Sequence, residues 1–549
     1  MIFFELLLFL FGISVISLSV AGYGSLLSVN KEKNLFLDIF LGFVAISFIV
    51  TLIHFFLKIN LLISISVFIF GLMVFFKNRN FNFSILHKKN NFINLFVILF
   101  FLPMFISQKY HEDFGYYHLP YALALLEEKI VFGVANIDSP FVYNSLWLNL
   151  KPLFFLDNKN FNFLTVPSFL LFISFILFSI NKILNKKQIQ NSDYFLLVTL
   201  FYFILKFTRI SEFGVDFPAI IFSVLGIYYF IKFYETNESS EKMSFFYFNF
   251  IFSIFSILIK LSTAPILFFT IYLFFSNFKS FKFFILNFKF LIIYFLCFTF
   301  FIQQFIYTGC FLFPTNFSCL NVSWFNIDHL SLSKQLELTN KSYSVAIDIY
   351  SPDEYLSNFN WFLFWIKRNL IEIFEHLMTI ILPTLIFICF LKKETKNISF
   401  FQKKLIFFIF VILSLIFWLT FSPVFRFAIH IFITLIFIIF SNILISRIFS
   451  KKVFIIFLSV FLIFNFAKNI VRISETEKIF IGIQKINNQF LLNKLVSNDY
   501  VNIYRPDVKN NKKNGWQGRL CWDTPFICSY NNLTIKKKNG YLIINKLQN

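Results

Sequence analysis

The sequence predicts an all-α membrane protein that crosses the bilayer many times. Of its 549 residues, 58% are hydrophobic and 14% are charged, and the mean hydropathy is +0.74. A soluble globular chain carries roughly 25% charged residues. The apolar residues also come in long runs separated by short polar stretches. Such runs are typical of helices in lipid, where a helix satisfies its own backbone hydrogen bonds.

About fourteen apolar runs are candidate transmembrane helices. They cover residues 2–22, 35–57, 60–76, 93–107, 162–181, 193–207, 217–235, 244–259, 262–278, 283–302, 377–391, 404–421, 427–446 and 453–467. The first run begins at Ile2 without a basic segment or a small-residue cleavage site, so it is predicted to be a span rather than a signal peptide. Several runs are shorter than the roughly 20 residues of a span, and we expect those helices to extend into their flanks.

The basic residues predict the orientation. One set of seven short loops carries 21 Lys and Arg residues, and the alternate set carries 12 over a greater length. Because short cytoplasmic loops are enriched in Lys and Arg, the first set is expected inside. The N-terminus, the long loops 108–161 and 303–376 and the tail 468–549 are then expected outside. The same distribution explains the net charge of +21 without a nucleic-acid partner.

Two close cysteine pairs fall in segments that are predicted to lie outside. Cys310 and Cys319 share one loop, and Cys521 and Cys528 share the tail. In an oxidising compartment, such pairs favour two disulfides, with free thiols as the alternative. A zinc site would need CxxC or histidine at ligand spacing, which these pairs lack.

The first long outer loop opens with a cluster of titratable residues. The segment from Tyr110 to Pro120 contains His111, Glu112, Asp113 and His118, directly after an apolar run. A carboxylate at this boundary can act as a general base or hold a divalent cation. The alternative is ordinary solvated loop charge.

Three later outer turns each add one candidate site residue. Asp216 begins a predicted span, where it could also cap the helix. Lys260 could interact with a substrate or extend to the interface alongside apolar surface. Arg426 could pair with a phosphate as a planar fork, or anchor its helix. Acids and cations on one face would suit a site that takes a phosphate-bearing lipid and activates a hydroxyl acceptor.

The order of these elements resembles the GT-C class of membrane glycosyltransferases. That class has a seven-span module with a catalytic acid at the start of a long first outer loop, a short acidic second outer loop, and a long outer loop after the seventh span. Residues 93–370 resemble this order, with Asp113 and Asp216 in the two acidic positions. Three extra spans precede the module, and His-Glu-Asp replaces a plain acidic pair. Glu112 and Asp113 therefore compete for the role of base.

The apolar runs, the polar tail and this resemblance together predict four parts of the chain. Three helices in residues 1–92 precede a GT-C-like core module in 93–376, four helices follow in 377–467, and the tail 468–549 forms a small outward-facing C-terminal cap. The Cys521–Cys528 element of the tail resembles that of uncharacterised bacterial multi-span proteins and implies no substrate.

The resemblance also implies a function at the bacterial inner (plasma) membrane. A sugar would pass from a polyprenyl-phosphate donor to a glycan or lipid acceptor on the extracytoplasmic side. Asp113 would deprotonate the acceptor, and Glu112 or Asp216 would orient it or hold a divalent cation. The substrate-binding residues would be His111, His118, Asp216, Lys260 and Arg426, with the last two neutralising the donor phosphate. The alternatives are a transporter or flippase for a lipid-linked saccharide, and a non-catalytic assembly component.

Overall fold

The computed structural model is built mainly of long helices. It describes residues 2–29, 34–78, 89–106, 113–156, 161–186, 188–208, 214–278, 287–325, 328–393, 401–475, 492–497, 502–506, 520–521 and 524–547. The α-helices are α1 (Ile2–Leu27), α2 (Leu35–Phe56), α3 (Leu61–Asn78), α4 (Lys89–Ile106), α5 (Leu119–Glu127), α6 (Leu146–Leu150), α7 (Val166–Leu184), α8 (Asn191–Lys206), α9 (Asp216–Glu235), α10 (Ser239–Ile259), α11 (Leu267–Ser276), α12 (Phe288–Thr308), α13 (His329–Asn340), α14 (Pro352–Leu356), α15 (Asn360–Cys389), α16 (Phe401–Phe421), α17 (Ile429–Ile445) and α18 (Lys451–Glu475).

Eleven helices among the described residues are long and apolar enough to cross a membrane. Two further apolar helical segments, Phe92–Phe105 and Leu261–Ser276, are shorter. The multi-pass helical architecture is therefore confirmed, whereas the count of about fourteen spans stays a prediction.

Two helices extend furthest beyond their apolar runs. Helix α15 begins at Asn360 rather than at 377, so the end of the predicted outer loop 303–376 is helical. Helix α18 continues to Glu475, past the predicted end at 467. Hydropathy marks only the part of a helix that is apolar all round. Turns that carry Lys, Arg and Asn beside apolar residues lie outside such a run and can still be helical.

The turns at one end of the bundle are held together by contacts between distant segments. Strands β1 (Lys392–Lys393) and β2 (Arg447–Ile448) pair antiparallel. Lys451 Nζ donates to the carbonyl oxygen of Leu184 at 2.7 Å. The described parts of three loops predicted to be cytoplasmic therefore lie together. We call this the basic end, and the opposite end, which carries Asp113, the site end.

Cysteine labelling tests which end is outside. In a background lacking Cys297 and Cys389, we expect Asp353→Cys to react with a membrane-impermeant maleimide in cells whose outer membrane is permeable. Lys393→Cys should react only after the inner membrane is permeabilised, because positively charged loops stay cytoplasmic. Both side chains are exposed in the structure. The opposite labelling pattern would reverse the predicted orientation.

The C-terminal cap packs on the first outer loop. Strands β3 (Leu492–Ser497) and β4 (Asn502–Pro506) pair antiparallel, as do β5 (Leu533–Lys538) and β6 (Tyr541–Lys546). Asn136 Nδ2 donates to the carbonyl oxygen of Ile544 at 2.7 Å. Buried apolar residues of β5 and β6 also share a core with the loop. The described part of the cap therefore lies at the site end.

Both predicted disulfides are present. One joins Cys310 to Cys319 in the turn after α12, and the other joins Cys521 to Cys528 in the cap. Each closes a short loop, and we expect each to stabilise the fold by roughly 2–3 kcal/mol.

Candidate active site

Four of the charged residues predicted from separate turns lie together at the site end. Arg426 Nε is 2.9 Å from Asp216 Oδ2, and Arg426 Nη2 is 3.9 Å from Asp113 Oδ2. Lys260 Nζ forms an ion pair with Asp216 Oδ1. We call these four residues the ion-pair cluster. It is assembled from turns that are far apart in the chain.

The two carboxylates of the ion-pair cluster differ in exposure. The Asp113 side chain is 30% exposed, whereas that of Asp216 is 8% exposed. Asp113 precedes one wide helical turn, Phe114–His118, that leads into α5. Asp216 is the first residue of α9 and lies close to two cations. Asp113 is therefore the more accessible of the two to an acceptor.

A glycine brings the first and second outer loops together. Gly214 has φ +51°, and a Cβ built on it would lie 2.1 Å from His118 Cε1. Only glycine fits this backbone conformation and this close approach without strain. The predicted substrate-binding residue His118 is itself buried. It therefore packs beneath the turn that leads to Asp216.

Lys260 is fixed at the break between two helical segments. Its N–H donates to the Ser256 carbonyl at the end of α10, and Ser145 Oγ donates to the Ile259 carbonyl at 2.8 Å. Lys260 Nζ lies 3.2 Å from the centre of the Phe427 ring. Burial lowers the pKa of the Lys260 ammonium to about 8, against the attraction of Asp216.

Two tryptophans hold the turn that carries Arg426. Trp365 Nε1 donates to the carbonyl oxygen of Pro423 at 2.6 Å, and Trp418 Nε1 donates to that of Val424 at 2.8 Å. An indole N–H that is buried needs an acceptor, and here the acceptors are the backbone oxygens of the turn. The position of the Arg426 backbone is therefore set by α15 and α16.

Two aromatic residues of the site were not singled out from the sequence. Tyr117 is half-buried, and desolvation raises the pKa of its phenol well above the usual value, with the charges of Asp113 and Asp216 adding to the rise. The phenol therefore stays protonated next to the carboxylates. Phe427 lies under the Lys260 ammonium. Their positions in the sequence could have indicated them, because Tyr117 lies four residues after Asp113 and Phe427 directly follows Arg426.

Two predicted site residues, His111 and Glu112, lie outside the described residues. Within the part of the chain that is described, one group of three potential metal ligands is found, comprising Cys310, Cys319 and His329. The two sulfurs of this group are bonded to each other. The described residues around Asp113 and Asp216 do not form such a group, and both carboxylates face cations instead.

A groove of about 910 Å³ lies beside the ion-pair cluster, between α8, α15 and α18. Its charged lining consists of Lys206, Glu372, Glu375, Arg426, Lys468 and Arg472, and its apolar lining includes Met378, Leu382 and Phe464. Arg426 belongs both to this lining and to the ion-pair cluster. We call the space the α8–α15–α18 groove. Its cations other than Arg426 were not predicted as site residues.

Comparison with known proteins adds a family but no described activity. A family model described as "Domain of unknown function (DUF8201)" matches residues 1–433. No curated protein and no solved structure matches the chain. The matched segment contains all four residues of the ion-pair cluster and ends before α18. Since the match covers more than half of the sequence, the chain belongs to the DUF8201 family.

Proposed function

We propose that this protein is a membrane glycosyltransferase that moves a sugar from a polyprenyl-phosphate donor to an acceptor on the extracytoplasmic side. The observation that carries the proposal is the ion-pair cluster. It combines a partly exposed carboxylate with two cations at the ends of apolar helices. A base for a hydroxyl and positive charge for a phosphate are the two groups that this transfer needs.

Asp113 is the residue that accepts the acceptor's proton. Its carboxylate is more exposed than that of Asp216, and it lies 3.9 Å from Arg426, whereas Asp216 lies 2.9 Å from the same side chain. Asp216 lies between Arg426 and Lys260 and holds both cations in place. The two acids therefore have different roles, which their environments set.

Arg426 and Lys260 neutralise the phosphate as it leaves. The acceptor oxygen bonds to the anomeric carbon while the bond from that carbon to the phosphate oxygen breaks. The electron pair leaves on the phosphate, and the acceptor proton passes to Asp113. Two cations already face the carboxylates among the described residues, so this scheme routes no step through a metal.

A transporter or flippase for a lipid-linked saccharide is the second candidate. The groove favours it, because Leu382 and Phe464 in its lining are 50% and 46% exposed and would face lipid. A transporter needs the charged residues to bind its cargo but has no use for a general base. Loss of the base alone therefore distinguishes the two functions.

The surface glycans of a deletion strain test the proposal in the cell. We expect the strain to lack one sugar, to accumulate the corresponding polyprenyl-phosphate sugar on the extracytoplasmic side, and to recover the glycan with the wild-type gene. Accumulation of the donor on the cytoplasmic side would instead indicate a flippase. Unchanged glycans and lipids would contradict both functions.

The pH profile of transfer tests the role of Lys260. A lysine carries its charge below its pKa, and burial lowers the pKa of Lys260 to about 8. The rate should therefore fall as the pH rises through about 8, because the neutral amine no longer attracts the phosphate. Lys260→Arg keeps the charge and should move the fall to higher pH. If the rate falls at the same pH in wild type and Lys260→Arg, loss of the Lys260 charge is excluded as the cause of the fall.

A further inference from the structure

We propose that the α8–α15–α18 groove binds the phosphate headgroup of a lipid, with the hydrocarbon chain leaving along its apolar wall. The identity of this lipid as the sugar donor rests on the proposed function, whereas the binding itself can be measured without transfer. The chemistry recognised is a phosphate monoester or diester attached to a long apolar chain.

The charge in the groove favours an anion. Four cationic side chains and two carboxylates line it among the described residues. One carboxylate, Glu375, is already paired with Lys206 at 2.6 Å. Without Arg426, whose charge is shared with the ion-pair cluster, the lining still has three cations against two carboxylates. The groove is partly apolar, and charge interactions there are stronger than in water. An anionic headgroup would balance the excess of positive charge.

Arg472 is held rigidly at the wall of the groove. It donates through Nη1 to the Thr208 carbonyl at 2.6 Å and through Nη2 to Thr208 Oγ1 at 2.9 Å. These bonds join α18 to the segment that follows α8 and leads to Asp216. A guanidinium fixed before the ligand arrives loses less side-chain freedom on binding. The same contact connects the groove to the second outer loop.

The shape of the groove fits a headgroup with a chain. Its volume of about 910 Å³ lies within the range of roughly 300–1,000 Å³ that is usual for ligand sites. Leu382 and Phe464 are exposed beside it, so a chain can pass directly from the groove into the bilayer. Free phosphate would leave this apolar part of the site unused.

Arg426 places the bound headgroup beside the ion-pair cluster. It lines the groove and also lies 2.9 Å from Asp216 and 3.9 Å from Asp113. A sugar carried on the phosphate would therefore be close to the proposed base. The groove thus supplies the route by which a lipid-linked substrate reaches the cluster from the side.

Direct binding to the purified full-length protein tests this inference. In a neutral detergent, we expect a polyprenyl monophosphate to bind at least roughly tenfold more tightly than the matching polyprenol or inorganic phosphate. Lys468→Gln should weaken the lipid affinity by roughly tenfold, since a hydrogen bond to a charged group contributes that much. Lys452→Gln, the same change at the basic end of α18, is the matched control and should bind as wild type does.

Three results would overturn the inference. Equal affinity for polyprenol would mean that the headgroup is not recognised, and equal affinity for inorganic phosphate would mean that the chain is not. Unchanged binding in both Lys468→Gln and Lys206→Gln would place the site elsewhere. Asp113→Asn should still bind the phosphate lipid, because the change removes no cation from the groove. Failure of the proposed chemistry is therefore distinguishable from failure of the groove to bind.

Discussion

Asp113→Asn is expected to lower the rate of sugar transfer by roughly 10²- to 10⁴-fold, the usual effect of removing a general base. The amide keeps the shape of the side chain and removes its charge and its capacity to accept the proton. Asp216 does not replace it, because that carboxylate is 8% exposed and close to two cations.

Complementation of the glycan defect measures this effect, with membrane abundance followed in parallel. Asp353→Asn is the matched control, since Asp353 belongs to the predicted outer loop 303–376 and its side chain is 86% exposed. A substitution at such a surface site changes stability by less than about 0.5 kcal/mol. Wild-type glycan from Asp113→Asn with an inactive Glu112→Gln would assign the base to Glu112. Full activity of both variants would refute the enzyme and favour the transporter.

Arg426→Gln should lower the transfer rate by roughly 10²- to 10³-fold, comparable to the loss of one group that stabilises developing charge. The change removes the cation that contacts both carboxylates and lines the groove. The leaving phosphate then loses its positive partner, and Asp113 and Asp216 lose the charge that separates them. Arg426→Lys should recover part of the rate, because it restores the charge without the planar fork.

Kinetics on purified protein separate this role from a structural one. Arg368→Gln is the matched control. Arg368 is exposed in the predicted outer loop 303–376 and donates to Ser344 Oγ. We expect the Arg426 variants to differ chiefly in kcat, with Arg426→Lys between wild type and Arg426→Gln. A change in KM alone, or equal activity of the lysine and glutamine variants, would contradict a role for Arg426 at the leaving phosphate.

The residues of the ion-pair cluster could be predicted because each follows or precedes a long apolar run. Because successive spans cross the membrane in opposite directions, alternate turns lie on the same side. These turns carry Asp113, Asp216, Lys260 and Arg426. Hydropathy does not predict how far apart these residues lie within the plane of the membrane. Their contacts depend on features such as Gly214 against His118 and the two indoles on the Arg426 turn.

The groove could not be predicted from apolar runs. Lys468 and Arg472 lie in the last turns of α18, beyond the apolar run, so the sequence placed them in the tail. Lys206 ends α8 and belonged to no predicted loop. The contact between Arg472 and Thr208 joins segments 264 residues apart. A local pattern carries no information on such a pairing.

The docking of the cap was also missed. The sequence indicated a small outward segment with a disulfide and a β-like run, and the structure has the Cys521–Cys528 bond and β6. Its partner on the first outer loop depends on backbone pairing, such as the bridge between Phe132 and Ile543. Backbone N–H and C=O groups occur along the whole chain, so the amino-acid sequence of the cap does not indicate which segment it pairs with.

Transfer by the purified protein in liposomes is the most direct test of the proposed enzyme. The lipid fraction of a deletion strain, in which the donor should accumulate, provides the substrate, and the released polyprenyl phosphate is measured in a single turnover. We expect wild-type protein to release it in step with sugar transfer, and Asp113→Asn to bind the donor but release it at least roughly 100-fold more slowly. Movement of the intact donor across the bilayer, at the same rate in both proteins and without release of polyprenyl phosphate, would contradict the glycosyltransferase.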